Sequence, residues 1–201
     1  NYNGGTVLED CIKSVLLHSP SEWEIQIVDN GSTDYSARTV FRRHPVDCLI
    51  QTDNKHGFIT GVNATFERAK NDIVVFLSYD VLMNKENDIQ RTIDLYMRNG
   101  NKTIVQPSVY DMWGNVQNLG QRWVWPGYGI TIRKNRFIKP ELFTTTAFMM
   151  RKSAFEEIGP FDTDFAPAYY ENVDYSLRAK KLGYKFICSP YWNVNHYTSL
   201  A

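Results

Sequence analysis

Apolar positions along the first half of the chain switch between two periods. Val7, Leu8, Cys11, Ile12, Val15 and Leu16 recur at helical spacing, and Thr6-Val-Leu-Glu9 ahead of them reads as a capping box. Glu24-Ile-Gln-Ile-Val28 predicts a strand that ends in the polar turn Asp29-Asn-Gly-Ser-Thr-Asp34. A short helix is predicted over 35–43 and stops before Pro45, because a residue preceding proline is steered away from helical geometry. Residues 48–51 predict a second strand, and about 57–70 a helix. Ile73-Val-Val-Phe-Leu77 is a continuous apolar run, as in a strand buried on both faces. A helix over 87–99, closed by Gly100, and a strand at 103–106 complete this half. Strand ends near 28, 51 and 77 thus recur every 23–26 residues with a helix in each interval. That is the rhythm of an α/β fold with a mostly parallel central sheet flanked by helices. In such sheets ligands gather at the carboxyl ends of the strands.

The second half is less regular. Residues 108–140 carry Trp113, Trp123, Trp125 and Tyr128 among several Gly and Pro with no helical period, which predicts a hairpin or long loops. A strand is expected over 143–150 and a short helix from a second capping box, Ser153-Ala-Phe-Glu156, to Gly159. A helix over 171–182 with Gly183 after it, and a strand at 184–188, follow.

Composition narrows the partners. The 201 residues hold 22 Lys+Arg against 22 Asp+Glu, a formal net charge of zero, which speaks against a nucleic-acid partner. With 43% hydrophobic and 22% charged residues the chain is globular, and its length suits one domain. No apolar run approaches the ~20 residues needed to span a bilayer. Cys11, Cys48 and Cys188 are an odd, scattered set that fits neither a zinc site nor a disulfide framework. A reducing, cytoplasmic setting is the expectation.

Several signatures are absent: no G-x-G-x-x-G, Walker A, H-E-x-x-H or G-x-S-x-G occurs. What remains is a set of acids and amides at strand ends. Asn1-Tyr-Asn3 precedes the first helix, and Asp29 and Asp34 flank the turn after the next strand. Asn54, Gly57, Gly61 and Asn63 follow the third, and Ser78-Tyr-Asp80 follows the most apolar one. A carboxylate at the last position could hold a divalent cation bound mainly by phosphate oxygens. The bland alternatives are a polar turn at 29–34 and a helix cap or surface acid at Asp80.

Five segments together resemble the family 2 glycosyltransferases, in particular their rhamnosyltransferase-like branch. They are Asn1-Tyr-Asn-Gly4, Ile27-Val-Asp-Asn-Gly-Ser-Thr-Asp34, Asn54-x-x-Gly-Phe58 with Gly61 and Asn63, Phe76-Leu-Ser-Tyr-Asp80, and Glu171-Asn-Val-Asp-Tyr-Ser-Leu-Arg178. The resemblance implies a GT-A fold in one domain, with a nucleotide-sugar-binding half over 1–106 and an acceptor-binding half over 107–201. It places Tyr2 by the nucleobase, Asp29 on its edge, and Gly57 and Asn63 near the ribose and diphosphate, with Asn3, Ser32 and Asn54 completing the donor set. The start at Asn1 reads as a trimmed one, lacking the strand expected before Tyr2.

The resemblance also implies an enzyme that moves a sugar from a nucleoside-diphosphate donor to a hydroxyl of a glycan, glycolipid, lipid-linked or glycoprotein acceptor, with inversion. Asp80 matches the last acid of the family's D-x-D element, whose first acid is here Ser78. One carboxylate plus the diphosphate can still hold Mg2+ or Mn2+, with His196 completing the metal site. The family's usual general base is here Asn172, and an amide cannot take a proton at neutral pH. Glu171 or Asp174, three apart on one helix face, would have to serve. Arg178 would pair with these acids or with the diphosphate. Trp123, Trp125 and Tyr128 would line the acceptor, since sugar C–H faces stack on aromatic rings. Membrane association would be peripheral, through segments outside this chain. The alternatives are a non-catalytic nucleotide-sugar or glycan-binding module, motivated by Ser78 and Asn172, and a sugar-nucleotidyltransferase whose Gly-rich triphosphate loop is not visible here.

Overall fold

A computed structural model describes residues 1–84, 89–124, 127–134 and 139–197. Helix α1 (Gly5–His18) leads to β1 (Gln26–Asp29), α2 (Ser36–Arg43), β2 (Cys48–Gln51), α3 (Phe58–Arg68) and β3 (Ile73–Leu77). Then come β4 (Val81–Met83), α4 (Ile89–Arg98), β5 (Thr103–Tyr110), β6 (Val116–Asn118), β7 (Gln121–Val124) and β8 (Tyr128–Thr131). The chain closes with β9 (Ala147–Arg151), α5 (Lys152–Ile158), α6 (Glu171–Lys181) and β10 (Lys185–His196).

The predicted helices and strands form, and the differences have physical causes. Neither capping box is used. Thr6 lies inside α1, and the free N–H of Gly5 is satisfied by the Asp34 carboxylate from across the fold at 2.9 Å. Ser153 sits inside α5 with its hydroxyl on Asp72. The strand expected over 143–150 begins only at Ala147, because residues 145 and 146 make a turn. Strands β5 and β10 run well past their predicted ends, pairing in parallel from Lys185/Thr103 to Asn195/Tyr110 across a bulge. Residues 87 and 88 of the helix predicted at 87–99 lie outside the described residues.

Strands β1 and β2 pair in parallel, as their short helical crossover requires. The central sheet has the order β3-β9-β5-β10-β4, with β6 on β5 and β5–β10 as its parallel pair. Strands β9, β4 and β6 join it antiparallel. Strands β7 and β8 form a separate hairpin. One core cluster joins Ile59, Val62 and Phe66 of α3 to Phe143, Phe148, Phe161, Tyr175 and Phe186. The two predicted halves therefore share a core, and residue 106 falls within β5. Stacked Phe66–Phe155 rings, 4.9 Å apart, and Phe161–Tyr175 rings, 4.0 Å apart, fix the α3–α5–α6 packing.

Strand β3 departs from burial on both faces. Val74 and Phe76 are buried, while Ile73, Val75 and Leu77 are only partly so. The cause is an apolar slot of about 480 Å³ that Val75 and Leu77 line together with Leu8, Ile12, Ile27 and Val62. It separates the edges of β1 and β3, neither of which has a strand partner on that side among the described residues. Its mouth, at the carboxyl ends of β1 and β3, carries the polar residues Asn30, Asn54, Ser78 and Tyr79.

Candidate active site

The carboxyl ends of β1 and β2 coincide, because Asp29 and Gln51 are register partners. Asp29 is 3% exposed, and its Oδ1 accepts from Asn1 Nδ2 at 2.9 Å and Ser32 Oγ at 2.6 Å. Ser32 in turn accepts from the Asn3 N–H, and Asn3 Oδ1 takes the Thr33 N–H at 2.8 Å. Asp29, Asn3 and Ser32 thus lock two loops together at the rim of the cleft. Tyr2 stands between them, half exposed at the mouth of the slot.

The neighbouring Asn30, in the same Asp29–Asp34 turn, is the hub of the next loop. Its amide donates to Asn54 Oδ1 at 2.7 Å and to the Gly57 carbonyl, and its own oxygen accepts from Thr52. Gly57 has a positive φ of 56°, and a Cβ there would lie 2.5 Å from the Pro167 carbonyl oxygen. Only glycine lets the start of α3 approach the loop entering α6 this closely. The Phe58 N–H then donates to that same Pro167 carbonyl at 3.1 Å. Asn63 does not face the cleft. Both ends of its amide are held by the Phe161 backbone, at 2.8 and 2.9 Å, so it braces α3 against the segment after α5.

Asp80 follows β3, and its Oδ2 lies 3.3 Å from His196 Nε2 at the end of β10. Antiparallel pairing of β10 with β4 sets this meeting, with His196 opposite Val81. Burial disfavours the Asp80 charge, but hydrogen bonds from His196 and Ser78 outweigh it and hold the carboxyl below its ordinary value. Asp80 Oδ1 is buried with no partner. On the far side, His196 Nδ1 meets Gln117 Oε1 at 3.1 Å. The imidazole therefore bridges Gln117 and Asp80 through its two ring nitrogens. No cluster of three or more His, Cys, Asp or Glu side chains occurs among the described residues. A cation here would take an acid, an imidazole and oxygens from the ligand.

The N-terminus of α6 separates its acids. Glu171 is 6% exposed, its Oε1 accepts from Thr145 Oγ1 at 3.0 Å, and its Oε2 is buried without a partner. Asp174 instead pairs with Arg178 Nε at 2.8 Å. That guanidinium also donates to the carbonyls of Ile158 and Pro160, so Arg178 clamps α5's end to α6. Asn172 gives its amide protons to Gln121 Oε1 at 3.0 Å and to the Phe143 carbonyl at 2.9 Å, fastening the β7–β8 hairpin to α6. Residues 144–146 tie the two acid sites together: Thr145 holds Glu171, while the Thr146 carbonyl accepts from the Ser78 N–H, two residues before Asp80. Nothing in the sequence pattern singles out Thr145.

Trp123 shares a hairpin face with Gln121, and hence with the residue bonded to Asn172. Its N–H backbone group is held by Glu141. Trp125 and the side chain of Tyr128 lie outside the described residues.

The family described as Glycosyl transferase family 2 matches residues 1–159. N-acetylglucosaminyl-diphospho-decaprenol L-rhamnosyltransferase of Mycobacterium tuberculosis (strain ATCC 25618 / H37Rv) is 25% identical over 227 residues, covering 98% of this chain and 73% of that protein. The solved structure of GalNAc-T7 with UDP, GalNAc and Mn2+ matches at a TM-score of 0.82 and 14% identity, over 97% of this chain and 42% of that one. The mannosyltransferase PcManGT from Pyrobaculum calidifontis, in complex with GDP-Man and Mn2+, matches at a TM-score of 0.72 and 16% identity, over 100% of this chain and 55% of that one. The chain thus spans about half the length of these solved proteins. Their likeness establishes the shared α/β architecture, and the match over most of the sequence establishes kinship. The chain belongs to glycosyl transferase family 2 and has the GT-A fold.

Proposed function

We propose that this domain transfers a sugar from a nucleoside-diphosphate donor to a hydroxyl of a glycan or lipid-linked acceptor, with inversion and with help from a divalent cation. One observation carries the reading. Asp80 and Glu171, joined through residues 144–146, each present a buried carboxylate oxygen with no partner. Buried polar atoms in folded proteins are normally satisfied, so an unpartnered oxygen on each of these two family-motif acids is a group that a ligand can complete.

The donor's nucleoside lies at the rim built by Tyr2, Asn3, Asp29, Ser32 and Asn54, and its diphosphate reaches toward Asp80 past the N-terminus of α3 at Gly57. Asp80 and His196 would hold Mg2+ or Mn2+. When bound, the cation supplies positive charge against the departing diphosphate. Glu171 Oε2 accepts the proton of the acceptor hydroxyl as its oxygen bonds to the anomeric carbon and the carbon–oxygen bond to the diphosphate breaks. Thr145 holds the other oxygen and so fixes the carboxylate plane. Asp174 keeps Arg178 and is excluded from proton transfer by that pairing. Trp123 of the β7–β8 hairpin supplies an aromatic face for the acceptor.

A thermal-shift series of UDP-, GDP- and dTDP-sugars with and without Mn2+, followed by an assay of released diphosphate, tests the proposal. Selective stabilisation that needs Mn2+, together with release, supports it. Tight binding of a nucleotide sugar without turnover on any acceptor would make the domain a binding module, the reading favoured by Asn172 acting as a clamp.

A further inference from the structure

The β5–β6 turn and the outer face of the β7–β8 hairpin combine exposed aromatic and cationic side chains that the transfer site does not use. Trp113 is 81% exposed and Met112 40% exposed, at the tip between β5 and β6. The turn that presents them is tightly held. Asp111 Oδ1 accepts from the N–H groups of Trp113 at 2.9 Å and Asn115 at 2.8 Å, and its Oδ2 accepts from the Asn115 amide. These bonds depress the Asp111 carboxyl, the one from the Asn115 side chain most of all. Asn195 of β10 adds a bond to the Asp111 carbonyl at 2.9 Å. The backbone of this turn is held in place, and it presents the Trp113 indole to solvent.

A groove of about 360 Å³ on the nearby hairpin is lined by Arg122, Val124, Ile130, Thr131, Ile132, Arg133 and Lys134. Register places Arg122 opposite Ile130, on the face turned away from Gln121 and Trp123. Leu119 and Ile132 are joined through the bonds Leu119 N–H to Ile132 O and Ile132 N–H to Gly120 O, each 2.8 Å. The chain leaving β8 therefore carries Arg133 and Lys134 back beside the strand that returns from the Trp113 tip. Among the described residues these three cations have no ion pair, and no carboxylate lines the groove. In a chain of net charge zero, that is a local concentration of positive charge with apolar surface between.

We infer that this edge, with Met112, Trp113, Arg122, Ile130, Arg133 and Lys134, is a docking surface for an anionic lipid bilayer. An amphipathic indole settles at the headgroup level, and each cation near an anionic surface adds attraction that salt screens. The turn's rigidity means that little conformational entropy is lost on insertion. The proposal stands apart from the transfer reading, because lipid binding is measured without turnover.

Co-sedimentation of the whole chain with phosphatidylcholine vesicles, and with phosphatidylcholine–phosphatidylglycerol vesicles, tests it at about 100 mM salt, where the screening length is about 10 Å. Binding should favour the anionic vesicles and fall as salt rises. The triple substitution Arg122→Ser, Arg133→Ser, Lys134→Ser should weaken it by about tenfold or more, and Trp113→Ser should weaken binding to both vesicle types. Unchanged melting temperatures separate these losses from misfolding. No sedimentation with anionic vesicles, or full binding by the triple variant, overturns the inference. So does a thermal shift with inorganic pyrophosphate that the triple variant loses while vesicles have no effect, which would make the groove a site for a soluble anion.

Discussion

The Thr145 hydroxyl donates to Glu171 Oε1 at 3.0 Å and leaves the second oxygen of that buried carboxylate without a partner. One oxygen is fixed so that the other can be aimed. Glu171→Gln keeps the shape and the Thr145 bond but cannot take a proton. Its turnover should fall by about 10²–10⁴-fold with the donor KM little changed. Asp174→Asn should instead show up in the melting temperature, because that acid holds Arg178 at the end of α5. Steady-state kinetics and thermal melts on both variants check the division of labour.

Restoring the family's acid should fail. Asn172→Asp turns a carboxylate toward the Phe143 carbonyl, now 2.9 Å from an amide nitrogen, and loses the bond to Gln121. Leaving such a group unsatisfied costs about 1–3 kcal/mol. The variant should melt lower than the parent and show no gain in turnover. A rise in activity with unchanged stability would contradict the clamp.

Gln117 is a positioning residue for the cation site, since it sets which imidazole nitrogen faces Asp80. Gln117→Leu should weaken Mn2+-dependent stabilisation by nucleoside diphosphate about 10–100-fold in apparent affinity, while Asp80→Asn should abolish it. The nucleotide's stabilisation without metal should be the same in parent and Gln117→Leu, which a titration in chelator measures.

Asp34 joins two helix starts, accepting from Gly5 N–H of α1 at 2.9 Å and from Ser36 N–H of α2 at 3.0 Å. Burial raises its carboxyl, but the Ser36 and Gly5 bonds prevail and hold it below its ordinary value. A depressed carboxyl stabilises the fold above its unfolded value, about 3.9, and that contribution is lost as pH falls through the lower folded value. Asp34→Asn should therefore melt below the parent at neutral pH, with the gap closing below about pH 4. Melting curves of the pair across that range supply the test.

Asn63→Ala removes both bonds to the Phe161 backbone and should cost about 1–3 kcal/mol of stability. Donor affinity per folded molecule should be unchanged. Urea unfolding, read beside calorimetry with a nucleoside diphosphate, separates the two effects.

Local pattern alone determined the α/β class, the strand ends that carry Asp29, Asn54 and Asp80, and the helix beginning at Glu171. Hydrophobic period and strand-end polarity are properties of neighbouring residues, and neighbouring residues are what a sequence displays. It also placed Asp80 and His196 together, though only through the family's motifs, since 116 positions separate them. Tertiary structure alone decided which polar groups are already spent. Asn63 resembles a ligand-facing amide in the sequence, yet the Phe161 backbone holds both ends of it. Glu171 and Asp174 are equivalent by spacing, yet Arg178 takes one and Thr145 leaves the other half free. The capping boxes at Thr6 and Ser153 fit their pattern, yet Asp34 and Asp72 reach those helix starts from elsewhere in the fold. A hydrogen bond has one geometry and a limited number of partners, so the availability of a side chain depends on every group the fold brings near it.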